Sequence, residues 1–297
     1  MSRSQRVACI GLGQMGLAIA RNLLRAGYSL TGFDVDADRR RLLDAPSAAS
    51  PAAAASGADV VITSLPSPQV IETVAFGPHG IHEGIEPGTT FIDMSTNDPA
   101  LSRRMAQRFA ALDVGALDAP VSGGPRGAEE GSLTVMVGGP TELFQRWRRL
   151  FEVLGERVVL VGDAGAGQVA KLCNNLISGV TMTAISEACT IAAQQGIAPG
   201  VLYDLLTHSV GDSRVLRTRF PVGGVDAGHP SSHDYAPLFT LTLMLKDLRL
   251  AAALADQLGL SAPVIHTAIE RYKASEEAGY GELDYSAVHL LGLARPR

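Results

Sequence analysis

Lysine is scarce in this chain: three residues in 297, at positions 171, 246 and 273, against 22 arginines. Arginine stays protonated in proteins, whereas lysine can lose its proton when desolvated, so lysine in an arginine-rich chain draws attention as a proton-exchanging group. Lys171 stands in Gly165-Ala-Gly-Gln-Val-Ala-Lys171-Leu-Cys-Asn174-Asn175, at the opening of a long apolar helical pattern. Lys171 and Asn175 are four apart and therefore share a helix face. A lysine beside an amide can hold a substrate hydroxyl and move its proton. A useful general base has a pKa near working pH, a condition that burial and neighbouring positive charge create for lysine. The competing reading is an ordinary solvated lysine on a helix surface. Lys246-Asp247 interrupts a second apolar helical pattern running through Leu241, Leu243, Met244, Leu245, Leu248 and Leu250. Two of the three lysines thus stand beside other polar candidates.

A second constellation could hold a nucleotide. Val7–Ile10 reads as a strand and leads into Gly11-Leu12-Gly13-Gln14-Met15-Gly16, followed by a helical pattern. Gly11 permits a tight turn, Gly13 lets backbone approach a pyrophosphate, and Gly16 allows close helix–strand packing. The helix N-terminus favours the phosphate charge. GxGxxG alone is weak, but here it has a strand before it, a helix after it, and Asp34 at the end of the next strand. Asp34 suits the adenosine ribose hydroxyls and repels a 2′-phosphate, which favours NAD over NADP; Arg39 and Arg40 lie close enough in sequence to soften that preference. Leu65-Pro66 and Ser95-Thr96 each follow a predicted strand, at the edge where such sheets bind ligand. Asp118-Ala-Pro-Val-Ser122-Gly123-Gly124 follows another. Read as a turn-rich loop, it offers the Ser122 hydroxyl and backbone N–H groups at Gly123 and Gly124 to a carboxylate.

These residues must be positioned by two kinds of element. Strand patterns recur at Val7–Ile10, Ser29–Phe33, Asp59–Thr63, Thr89–Ile92, Ala116–Asp118, Leu133–Val137 and Val158–Val161. Helical patterns such as Met15–Ala26 and Pro99–Ala111 intervene, which argues a parallel α/β sheet. Residues 166–195 then show sustained helical spacing, ended by Gly196 and Pro199, and further helices are predicted at 200–208, 239–258 and 262–276. Pro221–Pro237 reads as a loop. The expected architecture is an α/β Rossmann domain (1–162) followed by an all-α domain (163–297), joined through a long interdomain helix.

Composition narrows the function classes. Net charge is −5 with no basic block, so nothing points to nucleic acid; Arg39-Arg40-Arg41 reads as a solvated helix face. The first residues have no apolar signal-peptide region. The strongest candidate for a membrane span, residues 238–260, is broken by Lys246, Asp247, Arg249 and Asp256, so no membrane is expected. Cys173 and Cys189 lie 16 residues apart in one predicted helix, roughly 24 Å along its axis and too far for a disulfide. A reduced, cytoplasmic protein fits. His79/His82 and His229/His233 have ligand-like spacing but no evident third ligand, and no metal site is assigned.

Together, Gly11–Gly16, Asp118-Ala-Pro-Val-Ser-Gly-Gly124 continuing through Gly131-Ser-Leu-Thr-Val-Met-Val-Gly138, Gly165-x-Gly-x-x-x-Lys171-x-x-Asn-Asn175 and Lys246-Asp-Leu resemble the β-hydroxyacid dehydrogenase family, typified by 3-hydroxyisobutyrate dehydrogenase, in the 6-phosphogluconate dehydrogenase-like superfamily. The resemblance covers nearly the whole chain. It implies NAD-dependent oxidation of a small β-hydroxy acid to its semialdehyde, or the reverse, with NADP possible, by a homodimer or homotetramer. It implies Lys171 as general acid/base, Ser122, Gly123 and Gly124 as the carboxylate loop, and Asn175 as a substrate-binding amide. Lys246, with Asp247 beside it, matches a residue near nicotinamide and substrate. Leu12, Gln14, Met15, Leu65, Pro66 and Thr96 match cofactor contacts. One departure concerns the pocket: Arg214 stands where such enzymes often carry an aromatic residue. Arg214, or Arg217 or Arg219, is expected to meet a second polar or anionic substrate group. The alternatives are an NADPH-dependent glyoxylate, tartronate or succinic semialdehyde reductase and, outside enzymes, a nucleotide-binding scaffold. Imine reductases of the same superfamily usually replace the lysine, which this chain keeps.

Overall fold

The computed structural model describes residues 5–293, so the reading of the first four residues lies outside the described residues. The chain forms two compact units, Met1–Lys171 and Leu172–Arg297.

The first unit is built on eight strands: β1 (Arg6–Ile10), β2 (Ser29–Phe33), β3 (Val60–Thr63), β4 (Thr90–Asp93), β5 (Gly115–Asp118), β6 (Val121–Ser122), β7 (Thr134–Gly138) and β8 (Arg157–Gly162). The order is β2-β1-β3-β4-β5-β7-β6, with β8 on β7. Its helices are α1 (Gln14–Arg25), α2 (Ala37–Arg41), α3 (Pro51–Ala55), α4 (Pro68–Phe76), α5 (Pro99–Ala110), α6 (Gly124–Glu130) and α7 (Thr141–Leu154). The central strands β1, β3, β4 and β5 are short, largely apolar runs buried on both sides, as helices on each face require. Alternation along β1 shows this directly. Val7 and Cys9 join a core with Ile19, Leu23, Trp147 and Phe151 from α1 and α7. Ala8 and Ile10 join the opposite core with Ile71, Leu101, Met105 and Phe109 from α4 and α5.

The seven predicted strands lie within a residue or two of their observed bounds. The expectation of a parallel sheet holds for the first five strands and needs correction beyond them. Strands β1 to β5 are mutually parallel, but β7 runs antiparallel to β5 and to β6. Only the nineteen residues from Ala119 to Val137 separate β5 from the end of β7, and α6 lies among them without carrying the chain back across the sheet. The stretch before Gly123 is likewise not a free loop: Val121 and Ser122 pair with Val135 and Thr134. Because β2 and β3 flank β1 on opposite sides, a topological switch point lies at the carboxyl ends of β1 and β3, where open α/β sheets bind ligands.

Helix α8 (Ala166–Gln194) begins in the first unit and ends before Gly196, whose φ of +76° suits glycine. It is the one described helix long and apolar enough to cross a membrane by length and composition, and this corrects residues 238–260 as the strongest candidate. The second unit continues with α9 (Pro199–Thr207), α10 (Arg214–Arg219), α11 (Leu241–Gln257), α12 (Pro263–Ser275) and α13 (Leu290–Leu293). Gly179 sets the approach of α8 to α11, since a Cβ there would lie 3.1 Å from Leu248 Cδ2 and 3.2 Å from Met244 Sδ. Fully buried Asp284 organises the chain before α11. Its carboxylate accepts from Arg219 Nε at 3.4 Å, Ser286 Oγ at 2.8 Å, and the backbone N–H groups of Leu238 and Phe239 at 3.2 Å.

His289 is buried in this unit, and its Nδ1–H donates to the Ser186 carbonyl at 3.3 Å. Burial lowers its pKa below 6.5, assisted by the Arg271 charge and opposed by the Ser186 bond. The unfolded chain therefore binds this proton more readily. The contribution to stability is full above about pH 6.5 and is lost as pH falls from there through the lower folded value. Unfolding free energy measured between pH 8 and pH 5 should fall more steeply with acid in the wild type than in His289→Gln. Parallel curves would remove His289 as the source.

Candidate active site

The nucleotide end is shaped by sterics. A Cβ on Gly11, whose φ is +89°, would lie 2.3 Å from the Ser64 carbonyl oxygen, and one on Gly16 would lie 1.9 Å from the Gly11 oxygen. Neither position accepts a side chain, so β1, the loop after β3 and the start of α1 are drawn together. Gly13 differs: only Arg39 Nη1, at 3.7 Å, approaches its Cβ position. Gly13 is also the N-cap of α1 and offers no side chain to its first-turn N–H groups. An open approach to unshielded amides at the positive end of a twelve-residue helix is what a pyrophosphate needs. Asp34 is buried at the end of β2, with Oδ2 accepting from Leu12 N–H at 2.7 Å and Oδ1 from Asp36 N–H at 2.9 Å. It carries negative charge at the position that contacts a ribose in such folds. These residues fit NAD. The arginines beside it are not simply a solvated face. Arg40 Nη1 donates to the Asp34 carbonyl oxygen at 2.5 Å. Arg39, half exposed, has Nη1 3.8 Å from Asp34 Oδ2, and Arg41 pairs with Asp38.

Further along the sheet edge, the Leu65 N–H donates to Ser95 Oγ at 2.8 Å, which ties the Leu65-Pro66 segment to the loop holding Thr96. Half-buried Met15 packs against the α1 core, and Gln14 is exposed. Ser122 ends β6. Gly123 and Gly124 follow with φ of +138° and +66°, conformations that favour glycine.

Lys171 is buried, with 7% relative exposure, and lies one turn before buried Asn175 on α8. The N-terminus of α8 is held from the sheet. Asp118, at the end of β5, accepts from Gly165 N–H at 2.6 Å through Oδ1 and from Gln168 N–H at 2.9 Å through Oδ2. Burial pushes its carboxyl pKa up, opposed by the backbone donors at Gly165 and Gln168. The surrounding glycines are steric necessities. A Cβ on Gly138 would lie 2.5 Å from Asp118 Oδ1, and one on Gly167 would lie 2.3 Å from the Met136 carbonyl oxygen. Sequence reading placed Asp118 only as the start of the Ser122 loop; the structure makes it the cap of α8. Gln168 was missed altogether, and its complete burial in a helix opening is the feature that identifies it.

In the second unit, Asn175 Nδ2 donates to Asp247 Oδ2 at 2.5 Å, and Lys246 Nζ lies 2.8 Å from Asp247 Oδ1. Asp247 is fully buried, so the amide and the ammonium offset the removal of its charge from water. Of the three arginines near α10, two are engaged. Arg217 pairs with Asp212 at 2.8 Å and donates to the Thr207 carbonyl, and Arg219 pairs with Asp284. Arg214 is exposed at the first position of α10. The loop histidines serve backbone: His229 Nε2 bonds the Arg217 carbonyl and His233 Nε2 that of Ala227. Among the described residues no group of three His, Cys, Asp or Glu is placed to hold a metal.

Residues 6–162 match the NAD binding domain of 6-phosphogluconate dehydrogenase. Residues 165–291 match the domain described as NAD-binding of NADP-dependent 3-hydroxyisobutyrate dehydrogenase. The chain belongs to the 3-hydroxyisobutyrate dehydrogenase family. It is therefore an NAD(P)-dependent oxidoreductase acting on a CH–OH group. It is 39% identical to an NAD-dependent L-serine dehydrogenase of Pseudomonas aeruginosa, over 97% of each chain. It is 38% identical to a 3-hydroxyisobutyrate dehydrogenase of the same organism, over 96% of this chain and 97% of that one. A solved 3-hydroxyisobutyrate dehydrogenase of Mycobacterium tuberculosis, described with L-serine, superposes with a TM-score of 0.89 at 34% identity, covering 97% of this chain and 99% of that one.

The two glycines of the nucleotide loop should separate under mutation. Gly16→Ala meets backbone in the free protein and should lower Tm. Gly13→Ala has room, so Tm should stay near the wild-type value while NADH affinity falls about tenfold or more, as its methyl occupies the pyrophosphate approach. Calorimetry and NADH fluorescence titration read both; unchanged NADH affinity in Gly13→Ala would exclude this approach.

Proposed function

We propose that this enzyme oxidises a small β-hydroxy acid to its semialdehyde, or runs the reverse reduction, with NAD preferred. Residues 1–162 serve as the cofactor-binding part and residues 163–297 as the helical part. The observation that carries the reading is buried Lys171 one turn before buried Asn175, on a helix anchored to the carboxyl edge of a nucleotide-binding sheet. NAD, when bound, takes or supplies the hydride at the carbinol carbon. Gly11, Leu12, Gly13, Gln14, Met15, Gly16, Asp34, Leu65, Pro66 and Thr96 would hold that cofactor. Asp34 makes the ribose end negative, which favours the 2′-hydroxyl over a 2′-phosphate; half-exposed Arg39 is the group that keeps NADP usable.

Ser122, Gly123 and Gly124 bind the substrate carboxylate through the hydroxyl and backbone amides. Lys171, as the neutral amine, takes the hydroxyl proton at Nζ during oxidation and returns it during reduction. Asn175 donates to Asp247, and its remaining amide capacity orients the substrate hydroxyl. Asp247 fixes that amide and holds Lys246. With Arg217 and Arg219 engaged elsewhere, Arg214 is the arginine left to meet a polar or anionic group on the substrate. 3-Hydroxyisobutyrate and L-serine are the first substrates to test, since relatives bearing both names match along nearly the full chain.

The enzyme works as a homo-oligomer through its helical part. Ile177 and Ile191, about four turns apart on one side of α8, are 64% and 66% exposed, and Val201, Leu205, Leu258 and Val264 add further exposed apolar surface. Cys9, Cys173 and Cys189 are all free thiols, in keeping with a reducing, cytoplasmic setting.

Lys171→Ala should lower kcat by about 10²–10⁴-fold while NADH still binds; a near-normal kcat would refute the mechanism. Across neutral β-hydroxy acids, L-serine and diacids, assayed with both cofactors, Arg214→Ala should change the substrate ranking, and an unchanged ranking would take Arg214 out of recognition. Ile177→Asp combined with Ile191→Asp should reduce the assembly seen by analytical ultracentrifugation. A monomeric wild type would dispose of the oligomer.

A further inference from the structure

Gln168 is fully buried three residues before Lys171, and both ends of its amide are used on one loop. Oε1 accepts from Asn97 N–H at 2.9 Å, and Nε2 donates to the Ser95 carbonyl at 2.9 Å. The amide thus grips the backbone on either side of Thr96. The grip extends through the neighbouring side chains. Ser95 Oγ accepts from Leu65 N–H at 2.8 Å. Asp93 Oδ2 accepts from Asn97 Nδ2 at 2.6 Å, and its Oδ1 accepts from Thr63 Oγ1 at 2.9 Å and from Ser95 N–H at 3.0 Å. The Gln168 N–H is itself held by Asp118.

We propose that Gln168 is a positioning residue that locks the two cofactor-contacting loops after β3 and β4 to the first turn of α8, so that nicotinamide and Lys171 share one frame. It touches neither cofactor nor substrate; it acts through the Ser95–Asn97 and Leu65–Pro66 segments. The chemistry of the amide is specific, because one donor and one acceptor must face the two sides of one loop. An apolar side chain supplies neither, and a carboxylate supplies the acceptor alone. The proposal rests on the assignment of those loops to the cofactor, and NADH binding tests it without turnover.

Gln168→Leu leaves a buried N–H and a buried carbonyl unsatisfied at the loop and should weaken NADH binding about tenfold or more. In Gln168→Glu the carboxylate can still accept from Asn97 N–H, but it can donate to the Ser95 carbonyl only when protonated. NADH affinity in that variant should therefore rise relative to wild type as pH falls, a pH dependence that a purely structural role would not produce. NADH affinities within twofold of wild type in both folded variants, with the wild-type pH profile, would overturn the proposal. Should neither variant fold, hydrogen exchange in the wild type decides. NADH should slow exchange in residues 165–172 together with residues 94–98, and protection confined to residues 94–98 sinks the idea. Lys171→Ala separates the two readings: full activity there defeats the general-base assignment, while the Gln168 result, read by binding, stands or falls independently.

Discussion

The carboxylate of Asp118 at the start of α8 is the contact on which the candidate chemistry depends. A buried carboxylate is expensive by several kcal/mol unless its oxygens are satisfied, and here both oxygens receive backbone N–H groups from the opening of a 29-residue helix. The helix dipole adds favourable charge at the same point. This is an N-cap supplied by a distant strand in place of the preceding residue, and it does more than stabilise a helix end. It fixes where the first turn of α8 starts on the sheet. Lys171 follows Gly165 by six residues, roughly 9 Å of helical rise, so its place is set by where Asp118 catches the helix.

The glycine spacing of the motif follows from that contact. Gly165 has a φ of +90° at the turn into the helix, and Gly167 and Gly138 leave room where any Cβ would strike Asp118 or the β7 backbone. The same logic governs the first nucleotide loop, where Gly11 and Gly16 are closed to side chains by packing and Gly13 is open. Glycine therefore has two roles that sequence alone renders identically. Some glycines let protein approach protein, and others leave space for a ligand. The Cβ distances separate them.

Much of the first unit was legible because its signals are local. Strand alternation, the Gly11–Gly16 turn and the Pro or Gly at element ends depend on neighbours within a few residues. The antiparallel return of β7 was not legible, since strand direction depends on how the connection crosses the sheet and not on the strand's own residues. Gln168 was passed over, and Asp118 was read only as the start of the Ser122 loop, for a related reason: their partners are 71 and 50 residues away, at Asn97 for Gln168 and at Gln168 for Asp118. A glutamine in a helix opening reads as solvent-facing until its burial is known. Arg217 and Arg219 were ambiguous in the same way, and their partners Asp212, Thr207 and Asp284 resolve them.

The division of labour between arginine and lysine now has a physical basis. Arginines satisfy fixed architecture: Arg219 on buried Asp284, Arg217 on a helix-end carbonyl, Arg40 on the Asp34 carbonyl. A planar, always-charged fork suits such permanent contacts, since no change of protonation can release them. Lys273 is exposed in the last turn of α12, where a positive charge complements the helix end. The other two lysines are the buried or half-buried ones, Lys171 beside Asn175 and Lys246 on Asp247. A proton-transferring group must be stable in both charge states, and a guanidinium is not. On the proposed mechanism, the residue type that is rare elsewhere in the chain is placed where a reversible charge is useful, and recognition of the substrate's further groups falls to an arginine such as Arg214, whose type keeps its charge.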